Sequence, residues 1–217
     1  MKYPEIPGLD LTIHSIFCIG RNYELHALEM GHKSPSKPMV FLKPLSSICY
    51  NGANIRIPKE SNDVHHEVEL LIAIGKGGKN IPKEDALQHI AGYGIGIDFT
   101  ARDLQAQAKE KGHPWSVAKG FDDFAPISSF VRFQNQNELD ELSVELKVNG
   151  ITRQKGITSD MIFDIPTLVS YLSTIFTLSE GDIIFTGTPM GVSAVQSGDV
   201  VEAVLDENKV SLTVTIA

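Results

Sequence analysis

The chain has 217 residues, enough for one large domain with a real core. Its 42% apolar and 21% charged residues are the balance of a folded globular protein, not of a disordered one. A formal net charge of −8 argues against nucleic acid or an anionic membrane surface as partner, because both select a basic face; a small anion can still be held by cations gathered in one pocket.

From the N-terminus onward, Glu5 and Asp10 interrupt any signal or transit peptide, and a cytoplasmic protein is expected. Ser15–Ile19 reads as a short strand ending at Gly20. Its Cys18, with Cys49, makes neither a disulfide framework nor a zinc spacing, so both are expected as buried thiols in a reducing compartment. Asn22–Met30 reads as a short helix closed by Gly31 as C′ residue, and Val40–Leu42 as a strand before Lys43-Pro44. Val64–Ile74 alternates as one strand and ends in Gly75-Lys76-Gly77-Gly78, with a helix candidate at Lys83–Ile90. Leu70 to Ile74 is typical of the apolar runs, all far below the roughly 18 residues that cross a bilayer.

Thr100-Ala101-Arg102-Asp103 reads as a capping box opening a helix to Lys111, ended by Gly112 and Pro114. Leu142–Val148, Asn149-Gly150 and Ile151–Gln154 make a hairpin with a type I′ turn. Ile165–Ile175 is the fourth helix, and Asp182–Phe185, Val200–Leu205 and Val210–Ile216 are the closing strands. No repeat or linker divides residues 1–217, so one domain is expected. Many strands, few helices and no βαβα rhythm predict an α+β, β-rich fold around a rolled or sandwiched mixed sheet.

The chemistry begins at His65-His66-Glu67-Val68-Glu69. Alternate strand residues share a face, so Glu67 and Glu69 point one way while Val68, Leu70, Ile72 and Ile74 form the opposite, apolar face. Two such carboxylates repel unless a cation lies between them, although the same spacing is common on solvated strands. In Tyr93-Gly94-Ile95-Gly96-Ile97-Asp98, the residues Gly94, Gly96 and Asp98 share one face, and two glycines in a strand suggest that something approaches there. Glu67, Glu69 and Asp98 make an all-oxygen set suited to Mg²⁺, Mn²⁺ or Ca²⁺ rather than Zn²⁺.

His26 and Glu29 stand three apart on a helix, so the carboxylate can fix the imidazole tautomer and raise its basicity; an exposed helical pair has the same spacing. Arg102 and Gln105 stand three apart on the helix after Asp98, with Lys119 further on. Such charges are usually solvated, but beside an anion site a guanidinium clamps a carboxylate and an ammonium offsets enolate charge. The turn Thr186-Gly187-Thr188-Pro189-Met190-Gly191 offers backbone N–H groups to an anion, or is simply a tight turn, and it lacks the ending of a phosphate loop.

Several motifs occur in a familiar order: Gly20-Arg21-Asn22-Tyr23 with His26 and Glu29, Phe41-Leu42-Lys43-Pro44, His66-Glu67-Val68-Glu69-Leu70, and Asp98-Phe99-Thr100-Ala101-Arg102-Asp103-Leu104-Gln105. Pro114-Trp115 with Lys119, Val148-Asn149-Gly150, and Gly181-Asp182 with Thr186-Gly187-Thr188-Pro189 complete the set. In that order they resemble the fumarylacetoacetate hydrolase family, nearest its short acylpyruvase and oxaloacetate decarboxylase members, from about Ile16 to the C-terminus. One departure is Ser193, where many relatives have glycine. The resemblance implies a mixed β-roll of that family's C-terminal-domain type and a homodimer. It implies Glu67, Glu69 and Asp98 as ligands of Mg²⁺ or Mn²⁺, and His26 as base with Glu29 as orienter. Lys119 is implied in the catalytic site, with Arg102, Gln105 and Thr188 as substrate contacts. The implied activity is acylpyruvate hydrolysis through a metal-stabilised enolate, with oxaloacetate decarboxylation or keto–enol tautomerisation as alternatives. A non-catalytic, metal-dependent binding protein is the rival of another class.

Overall fold

The computed structural model describes residues 3–29, 31, 33–207 and 209–217. Val68–Ile74 lies inside an eight-stranded sheet ordered Met39–Lys43, Ile16–Gly20, Ile183–Phe185, Val68–Ile74, Ile90–Ile97, Ala125–Ile127, Ile48–Tyr50, with Val131–Arg132 also paired to Ile90–Ile97. Ile183–Phe185 runs parallel to Ile16–Gly20, while Val68–Ile74 is antiparallel to both its neighbours. A five-stranded sheet, ordered Ile151–Ile157, Ser143–Val148, Val200–Leu205, Val210–Ile216, Asn54–Ile55, packs against it. The expected α+β, β-rich mixed architecture is present, with few and short helices.

The central strand is buried on both faces. Leu70, Ile72 and Ile74 join the large core with Val144, Leu146, Val201 and Val214, whereas Leu71 and Ala73 join a second core with Ile16, Cys18, Ile183 and Phe185. Glu69 therefore shares its face with apolar residues, not with solvent, and Cys18 and Cys49 are free and buried as expected.

Three local expectations are corrected. Val64–Ile74 is two strands, because the chain changes partners at Glu67. Val64–His66 pairs with Thr100–Ala101 and Ser193–Ala194, and Val68–Ile74 pairs in the large sheet. The capping box is absent. Thr100 and Ala101 are in a strand, the Thr100 hydroxyl donates to Asp98 O at 3.2 Å, and Asp103 reaches back to Ser61 Oγ at 2.6 Å and Asn62 N at 3.0 Å. The close approach at Gly94 and Gly96 is made by the protein itself. A Cβ at Gly96 would lie 2.7 Å from Leu71 Cδ1, and one at Gly94 would lie 2.9 Å from Ser128 Oγ.

Other elements match with small shifts. Arg102–Lys111 ends at Gly112 in the left-handed conformation, and Ile165–Ile175 is capped by Asp164 accepting from Thr167 N at 2.9 Å. The Asn149-Gly150 turn has φ values of 52° and 77°, and its second strand continues to Ile157. Lys83–His89 winds as a 3₁₀ helix. The first helix is Glu24–Glu29; Met30, its expected last residue, lies outside the described residues. Among the described residues no helix is long and apolar enough to cross a membrane.

Candidate metal and active site

The partner switch at Glu67 builds the base of a cleft. Glu67 O accepts from Asp98 N at 2.8 Å, so the first carboxylate stands beside the residue that ends Ile90–Ile97. Glu69, paired with Gly96, follows on the central strand. One ligand atom from each of Glu67, Glu69 and Asp98 lies within 4.8 Å of the others, and all three residues are buried.

Burying three carboxylates together costs several kcal/mol per ion unless cations compensate. Part of the compensation is on the chain. Lys119 Nζ donates to Glu67 Oε2 at 2.9 Å and Asp98 Oδ2 at 2.5 Å, and Arg102 donates to Glu67 Oε1 at 2.5 Å. Burial works to raise the Glu67 carboxyl, yet the charges of Lys119, Arg102 and His26 overcome it and hold it well below the usual range. Asp98 and Glu67 likewise raise the Lys119 ammonium against its burial.

Glu69 is left uncompensated. Burial first, then Asp98 and Glu67, push its carboxyl well above the usual value, and Lys119 and the Gly187 N–H offset only part of this. Asp98 Oδ1 is compensated by charge alone. Lys43 Nζ is 2.7 Å away, but that ammonium donates to the carbonyls of Phe99 at 3.2 Å, Phe124 at 3.0 Å and Lys119, and Oδ1 receives no hydrogen bond from the described residues. A buried carboxyl that resists ionisation, within 4.8 Å of two other carboxylates, fits a divalent cation with hard oxygen ligands.

Above this base opens a cleft lined by His26, Glu67, Glu69, Arg102, Gln105, Lys119 and Thr188 among others. Thus seven of the nine expected site residues face one space, while Asp98 and Glu29 stand behind it, in contact with Lys119 and His26 respectively. His26 Nδ1 is 3.2 Å from Glu29 Oε2, and the Glu29 carboxylate accepts from Gly191 N at 3.1 and 3.2 Å. A carboxylate only accepts, so Nδ1 carries the proton and Nε2 is the basic nitrogen.

The turn expected to serve an outside anion gives two N–H groups to the protein's own carboxylates. Gly191 donates to Glu29, and Gly187 donates to Glu69 Oε2 at 2.6 Å. Gly187 has φ 103°, and a Cβ there would lie 2.6 Å from the Asn22 Cβ, so glycine is required.

The Fumarylacetoacetate (FAA) hydrolase C-terminal family model matches residues 15–217. The chain belongs to the fumarylacetoacetate hydrolase family. A mitochondrial oxaloacetate tautomerase of Arabidopsis thaliana is 50% identical over 188 residues, covering 87% of this chain and 84% of its own. A mitochondrial oxaloacetate decarboxylase of Dictyostelium discoideum is 47% identical over 192 residues, 88% of each chain. The crystal structure of a Pseudomonas aeruginosa fumarylpyruvate hydrolase in complex with Mn²⁺ and pyruvate superimposes with a TM-score of 0.92 at 36% identity, covering 98% of this chain and 94% of that one.

Within this fumarylacetoacetate hydrolase fold, residues given no role from sequence tie the site together. Gln154 Nε2 donates to Thr188 Oγ1 and Pro189 O, both at 2.8 Å. Its Oε1 accepts from Val68 N at 3.0 Å and faces His66 Nδ1 at 2.8 Å. It is the one buried position of an otherwise outward-facing strand, and a polar residue at that register was the only signal. His66 Nε2 in turn meets Ser193 Oγ at 2.9 Å, which gives the departure at Ser193 a hydrogen bond that glycine lacks. Lys43, from the Phe41-Leu42-Lys43-Pro44 segment, ties the carbonyls of Phe99, Lys119 and Phe124 together beside Asp98. Arg21 and Lys109 also line the cleft.

The Arg102 guanidinium is more committed than a free clamp. One terminal nitrogen serves Glu67, the other donates to Gln105 Oε1 at 2.8 Å, and Nε alone lacks a partner.

Proposed function

We propose that this chain is a divalent-metal-dependent enzyme of small 2-oxo acids. Its first reaction is keto–enol tautomerisation of oxaloacetate, and acylpyruvate hydrolysis is its second. The observation that carries the reading is the convergence of Glu67, Glu69 and Asp98 within 4.8 Å, with Glu67 and Glu69 lining the same cleft as His26 and Asp98 just behind it. Oxaloacetate comes first because relatives at 50% and 47% identity act on it. Mg²⁺ or Mn²⁺ would be held by the three carboxylates, and Ca²⁺ is compatible with the same donors. When bound, the ion supplies Lewis-acid stabilisation of the enolate charge that these reactions build.

The chain's residues supply the rest. His26 Nε2 takes the proton from C3 of oxaloacetate, and the proton is returned at the 2-oxo oxygen to give the enol. The Glu29 carboxylate stabilises the imidazolium formed meanwhile. Lys119 offsets enolate charge, and Arg102 and Gln105 face the substrate from the cleft wall. Thr188 accepts from Gln154, which leaves its own O–H to donate to the substrate carboxylate.

The second reading is favoured by the His26–Glu29–Gly191 chain, which suits activation of water. In an acylpyruvate, His26 deprotonates a water that attacks the distal carbonyl. Cleavage of C3–C4 then gives pyruvate and a carboxylic acid. Loss of CO₂ from oxaloacetate gives the same pyruvate enolate without an activated water.

Decay of enol absorbance for oxaloacetate and pyruvate release from acetylpyruvate, each with Mg²⁺ and after chelation, test the reading. Turnover of both, lost on chelation and restored by Mg²⁺ or Mn²⁺, is expected. Ion binding without turnover of either would favour the binding-protein alternative.

Residues 1–217 act as one catalytic unit in this reading. The free, buried Cys18 and Cys49 suit a reducing cytoplasm. A homodimer, as the family resemblance implies, is expected by light scattering; the mass of one chain across micromolar concentrations would refute it.

A further inference from the structure

The cations lining the cleft divide into two groups. Lys119 and Arg102 are neutralised by Glu67 and Asp98 at the base. Arg21 and Lys109 line the same cleft, are half-buried, and have no carboxylate partner among the described residues. Both are held in place. Arg21 has φ 59°, a left-handed conformation that a side-chain-bearing residue rarely adopts, just after the Ile16–Gly20 strand. Lys109 Nζ sits over the Trp115 ring, 5.4 Å from its centroid, and Trp115 packs against Phe41 with centroids 5.8 Å apart. Burial first, then the positive charges of Arg102 and Arg21, hold the Lys109 ammonium below its usual range, as expected where like charges face one another across a small space. Gathering unpaired cations costs free energy in the empty protein, and an anion in the cleft relieves it.

The base of the cleft already accounts for one end of a 2-oxo acid, and it is crowded with the protein's own carboxylates. A second substrate carboxylate has no place there. We infer that Arg21 and Lys109 form a subsite for the distal carboxylate of a 2-oxo dicarboxylate, and so set the preference for dianionic over monoanionic substrates. This rests on the 2-oxo acid reading of the site and ranks short 2-oxo diacids above monoanionic acylpyruvates as its ligands. Trp115, backed by Phe41, supports Lys109 from the apolar wall of the cleft.

The test compares two ligands of equal chain length, 2-oxoglutarate and 2-oxopentanoate, which differ only in a terminal carboxylate against a methyl group. Their Kd values are measured calorimetrically on the Mg²⁺-loaded protein, so the result does not depend on turnover. Wild type is expected to bind the dicarboxylate about 10–100-fold more tightly, the worth of one or two charge-assisted hydrogen bonds. Arg21→Gln and Lys109→Met should each cut that ratio about tenfold, and the conservative Arg21→Lys and Lys109→Arg should recover most of it. If Arg21→Gln fails to fold, Lys109→Met reads the same ratio. A wild-type ratio near one, a ratio unchanged in the variants, or no binding of 2-oxoglutarate overturns the subsite. Failure of oxaloacetate turnover with the ratio intact would instead overturn the reaction and leave the subsite standing.

Discussion

Glu69→Gln is expected to abolish divalent-metal binding and turnover while leaving the metal-free protein at least as stable as wild type. The two halves of this expectation share one cause. Without a cation, the Glu69 carboxyl is pushed toward its neutral form by burial and by Asp98 and Glu67, and glutamine reproduces that neutral form. The glutamine Oε1 can still accept from Gly187 N, which donates to Glu69 at 2.6 Å, so no buried group loses its partner. With a cation the sign reverses, because one of three anionic ligands is gone. Loss of an outer-shell partner already costs about 10–100-fold in metal affinity, and a direct ligand should exceed the upper end of that range. Several kcal/mol of charge stabilisation lost with the ion corresponds to a fall of about 10³-fold or more in rate. Calorimetric Mg²⁺ titration, thermal melts of the metal-free protein and initial rates check the three parts. Mg²⁺ affinity within a few-fold of wild type would remove Glu69 from the ligand set. Asp98→Asn offers a contrast. It also removes a ligand, but it strips charge from between Lys43 and Lys119 and should cost about 3–5 kcal/mol of stability, as breaking a buried ion pair does.

His26→Ala should act on chemistry and spare the metal. His26 is not among the converging carboxylates; it lines the same cleft with Nδ1 committed to Glu29 and Nε2 left basic. Removing a general base typically costs about 10²–10⁴-fold, and that loss is expected for acylpyruvate hydrolysis and for oxaloacetate tautomerisation, both of which move a proton through this residue. Oxaloacetate decarboxylation should suffer less, because breaking the bond to CO₂ needs neither activated water nor proton removal from C3. Mg²⁺ affinity should change by no more than a few-fold. Equal losses in all three reactions with metal still bound would give His26 a role in the shared enolate step. Unchanged hydrolysis would place the base elsewhere.

Spacing makes Glu67 with Glu69 and His26 with Glu29 candidate pairs, but the family resemblance, not spacing, singles them out as site residues. His26 and Glu29, three apart on a helix, meet where that period puts them. Glu67 instead lies in the break between two strands and is set beside Asp98 by the Asp98 N–H that its carbonyl accepts. The reason for the glycines beside Asp98 was not legible. Gly94 and Gly96 admit Ser128 and Leu71, partners known only once the sheet closes. The break at Glu67 was hidden for a related reason. Its flanking residues all favour strand, and only pairing with two different sheets interrupts them. Gln154 and Lys43 were missed because each takes its role from distant backbone: Pro189 O and Val68 N for one, and the Phe99, Lys119 and Phe124 carbonyls for the other. Thr100 looked like a cap because its neighbours spell one, until Val64–His66 drew its backbone into a ladder.

The central claim is that Glu67, Glu69 and Asp98 together hold one catalytic ion. Anomalous diffraction from a crystal soaked in Mn²⁺ tests it most directly. A single strong peak is expected among the three carboxylates, with an oxygen from each at the roughly 2.1 Å of a small octahedral cation and the Lys119 ammonium displaced from its present bridge between Glu67 and Asp98 or retained at the edge of the site. A peak elsewhere in the molecule, or none among these carboxylates at a concentration that supports full turnover, would contradict it.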